Sequence, residues 1–376
     1  MREVDLPMSK SVVARVAMMA AVDGGRTPDA GGSEDGEVIV KALKSGEKRV
    51  FVGSSGTAAR FAIAYYGSRS GVRVVDGSEQ LRQRPVGTIV NAMRRLGTRI
   101  EYMGKTGKLP VRIEGCRAIK REVKAEAGES SQTISALMLI GAGRGMKINL
   151  KGGIVSPTYI ELTRRLMMKA GVGVRKQGKV IKVSQGVFRI VDKIDRDWSS
   201  AVFWYGMVAV GEEKELLLKG LRMKSGQPDE RVVMFYDKLG VESKETSEGV
   251  MIYKKESLST CFEENCKGCP DMVPVLVATL CRMGRRFSLC GLETLERKES
   301  RRGTVMVREM GKLGYRLEFD GEKMWWNGER CRRQGLADVA DDHRIAMALI
   351  VAGAEIGNTE CINKSYKGIE TIWKKA

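Results

Sequence analysis

Four segments of the chain open an apolar helix with side chains that an ordinary helix start does not need. In SKSVVARVAMMAA, Ser9 or Ser11 is placed to cap the helix, and Ser11 and Arg15 share a face at i, i+4. Lys10 sets a cation at the positive end of the helix dipole, which is unfavourable unless an anion lies beside it. In RVFVGSSGTAARFAIAYYG a strand enters a small-residue turn and a helix begins near Thr57. Gly53 and Gly56 leave backbone N–H groups open to a ligand, and Arg60 follows one turn later. This is not a Walker loop, since no Gly-Lys-Ser/Thr follows. ESSQTISALMLIGAG gathers Ser130, Ser131 and Gln132 where one serine is enough to cap. ADVADDHRIAMALIVAG sets His343, the one histidine of the chain, beside Arg344, with Asp341 or Asp342 as cap.

Taken singly, each segment has a plainer explanation: a solvated lysine, a turn, a structural histidine. Together they suggest a cradle of helix N-termini for a ligand with two or more anionic groups, provided that they converge. The charge balance fits this. Lysine and arginine number 65 against 46 acidic residues, a net charge of +19. Such a charge serves either nucleic acid or a small polyanion drawn to a basic cleft. Aromatics are 6%, no basic tail exists, and acidic residues are interspersed, which favours the small anion.

Something must position these helix starts. An amphipathic segment, a glycine and a short alternating strand recur around Gly97, Gly171, Gly240 and Gly314, at intervals of 74, 69 and 74 residues. A shorter version surrounds Gly46. The even interval suggests one α/β unit used several times and too long for a solenoid repeat. The 376 residues suffice for two or three domains at ~150 residues each. No Ser/Gly/Pro-rich linker divides them, and a break is placed near Arg196, where Asp197 or Ser199 caps a new helix.

The eight cysteines are scattered and read as reduced thiols; Cys261, Cys266 and Cys269 cluster, with Cys281 as the nearest fourth ligand for zinc, but no second paired half follows. No apolar run reaches the ~18 residues that span a bilayer. MREVDLPMSK mixes acid and base, unlike a secretory leader, and its acidic residues are unlike a transit peptide. A soluble, cytoplasmic protein is expected.

The motifs SKS with Arg15, GSSGTAAR, DGSEQLRQRP, SSQ, KESRR and DHRIAM, in that order, resemble those of the EPSP synthase (3-phosphoshikimate 1-carboxyvinyltransferase) family, from Lys10 to Lys364. The resemblance implies a two-lobed inverse α/β barrel, each lobe three βαβαββ-type repeats with pseudo-threefold symmetry. It places 10–195 in the first lobe and 1–9 plus 196–376 in the second, with helix N-termini facing a cleft that closes on ligand. It implies transfer of the enolpyruvyl group of phosphoenolpyruvate to the 5-hydroxyl of shikimate 3-phosphate, with release of phosphate. No metal or organic cofactor is implied, and the partners are small anionic substrates, with no nucleic acid, no membrane and a monomeric state. Carried over residue by residue, Lys10, Ser11, Arg15, Ser130, Ser131, Gln132, Ser156, Tyr159, Asp271 and Lys298 contact shikimate 3-phosphate. Lys10, Gly56, Arg84, Gln132, Arg302, Arg344 and Lys364 hold phosphoenolpyruvate. Asp271 in CPDMVP and Glu299 in KESRR are the proton-transfer carboxylates, with Lys10 also catalytic. Arg60 and His343 are further candidates.

Four positions depart from the family pattern: Met8 for a usual glycine, Ala14 for asparagine, Gln80 for arginine and Arg301 for aspartate. Arg301 inverts a charge, which puts the pairing around Glu299 and Arg302 in question. Two other readings stand beside the first. The sister carboxyvinyltransferase acting on UDP-N-acetylglucosamine carries a reactive cysteine near the region of Gln80 to Pro85, where this chain has none. A basic nucleic-acid-binding protein would explain the charge but not the ordered helix starts.

Overall fold

The computed structural model describes residues 2–189, 191, 193–256 and 261–370. They form two compact units, each with its own hydrophobic core. The first comprises Lys10–Gly31 and Asp35–Ile194; the second comprises Met1–Ser9, Gly32–Glu34 and Asp195–Ala376.

Among the described residues, four βαβαββ repeats each fold into a four-stranded mixed sheet. The second unit takes its first strand from the start of the chain, β1 (Arg2–Asp5). In the first unit, α1 (Lys10–Asp23) and α2 (Glu34–Lys44) precede two complete repeats. One repeat runs β2 (Arg49–Phe51), α3 (Gly56–Gly67), β3 (Gly71–Asp76), a short α4 (Glu79–Arg82), α5 (Gly87–Leu96), β4 (Arg99–Tyr102) and β5 (Val111–Gly115). The next runs β6 (Glu122–Glu126), α6 (Ser131–Gly141), β7 (Met146–Lys151), α7 (Pro157–Lys169), β8 (Val174–Gln177) and β9 (Val180–Val183). The second unit adds to β1 the run α8 (Trp198–Val210), β10 (Glu215–Lys219), α9 (Val232–Asp237), β11 (Val241–Glu245) and β12 (Gly249–Lys254). It then repeats as β13 (Cys261–Asn265), α10 (Val273–Arg282), β14 (Arg286–Cys290), α11 (Arg302–Lys312), β15 (Glu318–Phe319) and β16 (Lys323–Trp326), and ends in α12 (His343–Val351).

Every sheet has the same order: first strand, second, fourth, third. The first two strands are parallel, so a helix must cross between them, and the last two form an antiparallel hairpin. Strands such as β6 alternate exposed and buried along their length, so one sheet face packs on helices and the other meets solvent. The first helix of each repeat is buried nearly all round: Val208, Ala209 and Trp204 on α8, or Ala58, Phe61 and Ile63 on α3, are sealed from water. Such helices can only lie inside, and they pack as triads, α1 with α3 and α6 in the first unit, α8 with α10 and α12 in the second. Among the described residues each unit thus has three central helices and two complete strand repeats, and α1 and α12 supply the third member of each triad.

The outer helices α5, α7, α9 and α11 end just before Gly97, Gly171, Gly240 and Gly314, which have φ of 106°, 91°, 82° and 93°. That left-handed turn reverses the chain into the hairpin, and a Cβ disfavours it. The regular glycine interval is therefore the period of the repeat. Gly46 differs, lying outside the positive-φ set. No helix among the described residues is long and apolar enough to cross a membrane.

Candidate functional site

Of the residues singled out in the sequence, Lys10, Ser11, Gly56, Ser130, Ser131, Gln132, His343 and Arg344 lie at the N-terminal ends of central helices, while Arg84, Ser156, Tyr159, Lys298, Glu299, Arg302 and Lys364 lie on outer helices or loops. In the first unit the central helices are α1, α3 and α6. Ser55 caps α3 by accepting from Ala58 N, and Ser130 caps α6 by accepting from Gln132 N. The start of α1 differs from expectation. Ser9 Oγ is buried without a hydrogen-bond partner and Ser11 lies inside the helix, because the Ser9 N–H is drawn to Asp195 O at 2.8 Å and the serine is held out of capping geometry.

Arg15 is fully buried under this end of the unit. Its Nε donates to Thr163 Oγ1 at 2.7 Å and its Nη1 to Ser11 O at 2.8 Å. Its Nη2 reaches Gln132 Oε1, Ser135 Oγ and Tyr159 O, each at 3.2 Å. All these acceptors are neutral, so burial pulls the guanidinium down to about 10. Arg15 therefore orients Gln132 and Tyr159 as well as supplying charge. Lys10 Nζ lies 3.3 Å from Asp35 Oδ2.

Arg60 is the second buried guanidinium. It donates to Gly56 O at 2.9 Å and Pro85 O at 2.7 Å, while its Nε has no partner. Burial, and then the like charge of Arg84, lower it to about 10, against the pull of Glu129. Arg84 lies flat over Gly56: a Cβ there would meet its Cζ, Nη1 and Nη2, all at 3.0 Å. Arg84 Nε is also buried and unpartnered. Two guanidiniums that repel each other and each keep an unpartnered Nε are suited to an anion. Ser156, at the start of α7, has φ of 45° and makes no capping bond, a left-handed conformation that a non-glycine residue adopts at a cost. Ser131, Ser156 and Tyr159 are buried.

The second unit builds a different cluster. Asp342 caps α12 by accepting from Arg344 N at 2.9 Å. It also accepts the Arg302 fork, from Nε at 2.8 Å and Nη2 at 3.1 Å. Arg302 Nη1 reaches Asp271 Oδ1 at 2.9 Å, where Lys298 Nζ lies at 3.0 Å. Glu299 Oε2 meets His343 Nδ1 at 2.8 Å and Lys364 Nζ at 3.3 Å. Burial works to raise the Glu299 carboxyl, but His343, Lys364 and Arg302 outweigh it and hold it well below the usual carboxylate range. Burial alone would lower Arg302, yet Asp342, Asp271 and Glu299 raise it. Arg344 is buried on α12 and donates from Nη1 to Ser199 O at 2.8 Å; its Nε and Nη2 have no partner.

Arg301, the inverted charge, turns outward: it is 74% exposed and bonds Glu296 at 2.7 Å. Arg302 and Glu299 keep their own partners. Glu299, Asp342 and His343 bring three potential metal-ligand atoms within 4.8 Å of one another. Arg302 and Lys364 already occupy these carboxylates, and cations in that position oppose a metal ion. The cysteines are all free, with Cys261 exposed and Cys266, Cys269 and Cys281 buried, and they form no metal-ligand group among the described residues.

Sequence reasoning placed Asp342 only as a cap and overlooked its second role as the acceptor for Arg302. It also missed Thr163 and Ser135 beneath Arg15, and the pair Ser199 and Asp229. The signal available was general: a buried arginine needs acceptors, wherever the chain supplies them.

Fold and site define an α/β protein of two helix-cored units in which the buried Arg60 and Arg344 keep N–H donors without a partner. The EPSP synthase (3-phosphoshikimate 1-carboxyvinyltransferase) family model matches residues 32–373, and the chain belongs to this family. It is similar to the 3-phosphoshikimate 1-carboxyvinyltransferase of Bacteroides fragilis strain YCH46, at 32% identity over 99% of this chain and 94% of the relative. It is also similar to that of Methanopyrus kandleri, at 30% identity over 85% of this chain and 76% of the relative. Among solved structures it resembles EPSP synthase from Acinetobacter baumannii, with a TM-score of 0.73 at 20% identity over 100% of this chain and 95% of the other, a likeness of fold.

Proposed function

We propose that the chain transfers the enolpyruvyl group of phosphoenolpyruvate to the 5-hydroxyl of shikimate 3-phosphate and releases phosphate. Family membership supplies the reaction. The observation in this molecule that carries the reading is Arg344, a buried guanidinium whose Nε and Nη2 both lack an acceptor. A site of this kind is complete only with an anion bound.

In this reading, Lys10, Gly56, Arg84, Gln132, Arg302, Arg344 and Lys364 hold phosphoenolpyruvate. Lys10, Ser11, Arg15, Ser130, Ser131, Gln132, Ser156, Tyr159, Asp271 and Lys298 hold shikimate 3-phosphate. The hydroxyl oxygen attacks C2 of the enol and loses its proton, C3 gains one, and the tetrahedral adduct then expels phosphate as C3 gives a proton back. Asp271 and Glu299 move the protons, and Lys10 steadies the developing charge. Glu299 is held ionised by His343, Lys364 and Arg302. A substrate anion that takes up the charge of Lys364 and Arg302 relieves that grip and lifts the carboxyl, so Glu299 becomes able to carry a proton only when phosphoenolpyruvate is present. Arg60 and His343 support Gly56 and Glu299 respectively. The chemistry asks for no metal or organic cofactor. The eight free thiols accord with a cytoplasmic setting, where the enzyme acts as a monomer on small anions and not on nucleic acid.

The test is phosphate release with both substrates. Release that requires shikimate 3-phosphate, and is not supported by UDP-N-acetylglucosamine, is expected. Release that is independent of the acceptor sinks the assignment.

A further inference from the structure

Arg344 is useful to an anion only if its fork is held still. Its oxygen partner in the protein is the carbonyl of Ser199, in the first turn of α8, and the same Nη1 also lies 3.9 Å from Met347 Sδ. That turn is gripped from a separate segment. Gln227 accepts from Trp198 N and donates to Arg196 O, and Asp229 Oδ2 accepts from the Ser199 hydroxyl. Asp229 is 1% exposed, and its Oδ1 is buried with no partner. Neither ion pairing nor capping explains a carboxyl in this place, because Asp197 already caps α8.

We propose that Asp229 is a positioning residue for the anion site, acting through Ser199 to fix Arg344 with two donors open to phosphoenolpyruvate. The inference rests on the reaction proposed above. Burial, and then the charge of Asp271, raise Asp229 to about 7; the Ser199 hydroxyl and Arg344 pull the other way, and Asp197 adds to the rise. Its charge also bears on the Cys269 thiol. Asp229 is thus neutral below that pH. Above it, a negative charge accumulates near Arg344 and competes with the substrate for the guanidinium.

The experiment measures kcat and both KM values from pH 6.5 to 8.5 for wild type, Asp229→Ala and Asp229→Asn. The alanine variant loses the grip on Ser199 and should raise KM for phosphoenolpyruvate about tenfold, the scale of one lost hydrogen bond. Its kcat and its KM for shikimate 3-phosphate should stay within about twofold of wild type. Asparagine keeps the acceptor and cannot ionise, so it should match wild type at pH 6.5 and bind phosphoenolpyruvate more tightly than wild type at pH 8.5. Comparison at each pH cancels the titration of the substrate itself. An unchanged KM in the alanine variant, or identical pH profiles for asparagine and wild type, overturns the proposal. The asparagine comparison decides by itself if the alanine variant does not fold. A wild type that releases no phosphate overturns the reaction and this inference together, and is recognised by the absence of turnover.

Discussion

The two units share a repeat and a triad of central helices, yet they treat buried charge in opposite ways. In the first, Arg15 and Arg60 are surrounded by hydroxyls and carbonyls, and burial lowers both to about 10. In the second, Arg302 is locked between Asp342 and Asp271, while Glu299 is surrounded by His343, Lys364 and Arg302. A guanidinium with neutral partners retains its full charge for a ligand. One paired with carboxylates holds those carboxylates ionised and in place. Among the described residues, Arg344 of the second unit departs from this pattern, buried with its Nε and Nη2 unpartnered.

The largest effect should come from removing the proton carrier of the second unit. Glu299→Gln keeps the size and the contact with His343 but not the basicity, and kcat should fall by ~10²–10⁴ with KM changed far less. Turnover near the wild-type rate would shift the role to Asp271. Next, Asp342→Ala strips Arg302 of its fork partner and α12 of its cap, a loss of about 3–5 kcal/mol in urea unfolding. Arg15→Met in the first unit leaves only neutral groups unpaired and should cost about 1–3 kcal/mol. Equal losses would erase the contrast between the units.

A smaller effect is expected at Gly56. An added methyl meets the face of Arg84 at 3.0 Å, so the guanidinium must shift by a few tenths of an ångström. Gly56→Ala should therefore raise KM for phosphoenolpyruvate roughly tenfold and leave that for shikimate 3-phosphate unchanged. A proportionate rise in both constants would make Gly56 a requirement of the turn rather than a support for Arg84.

The last prediction concerns acid. Despite burial, cations hold Glu299 and Asp342 below the ordinary carboxylate range. The unfolded chain protonates these groups near pH 4–4.5 and the folded chain only lower. Their stabilisation is thus present above that range and lost progressively below it, as pH falls through the lower folded values. Arg15 and Arg60 do not titrate there. Of the first unit's lowered carboxyls, Asp76, at about 2, pairs with the exposed Arg49 and the half-exposed Arg82, and Glu114, Glu122 and Glu161 pair with exposed or partly exposed cations, where water screens the pairs. Hydrogen exchange should show α11 and α12 losing protection before α1, α3 and α6 as pH drops below about 4. Simultaneous loss would mean that the cluster contributes little to acid stability.

Much of this molecule is written in local pattern. The all-apolar central helices and the four glycine reversals are set by interactions within a few residues, so spacing reveals them; it narrowed the caps to pairs, Asp197 or Ser199 and Asp341 or Asp342, of which the structure takes Asp197 and Asp342, and it did not name Ser55. The helix starts that carry the candidate site were legible for the same reason, because a lysine or arginine at a buried positive helix end needs an explanation. Partnership was not. Arg15 meets Thr163 across 148 residues of sequence, Arg302 meets Asp342 across 40, and β1 finds its parallel partner β10 only after the whole first unit has intervened. Nothing in the residue types distinguished Arg301, which faces water, from Arg302, which is buried beside it. Coulomb energy depends on separation and on the exclusion of water, and both are set when the helices pack. The sequence by itself determined the repeat and the kinds of charge at each helix start; only the tertiary structure decided which charges were neutralised, which carboxyl was held ionised, and which guanidinium was left open.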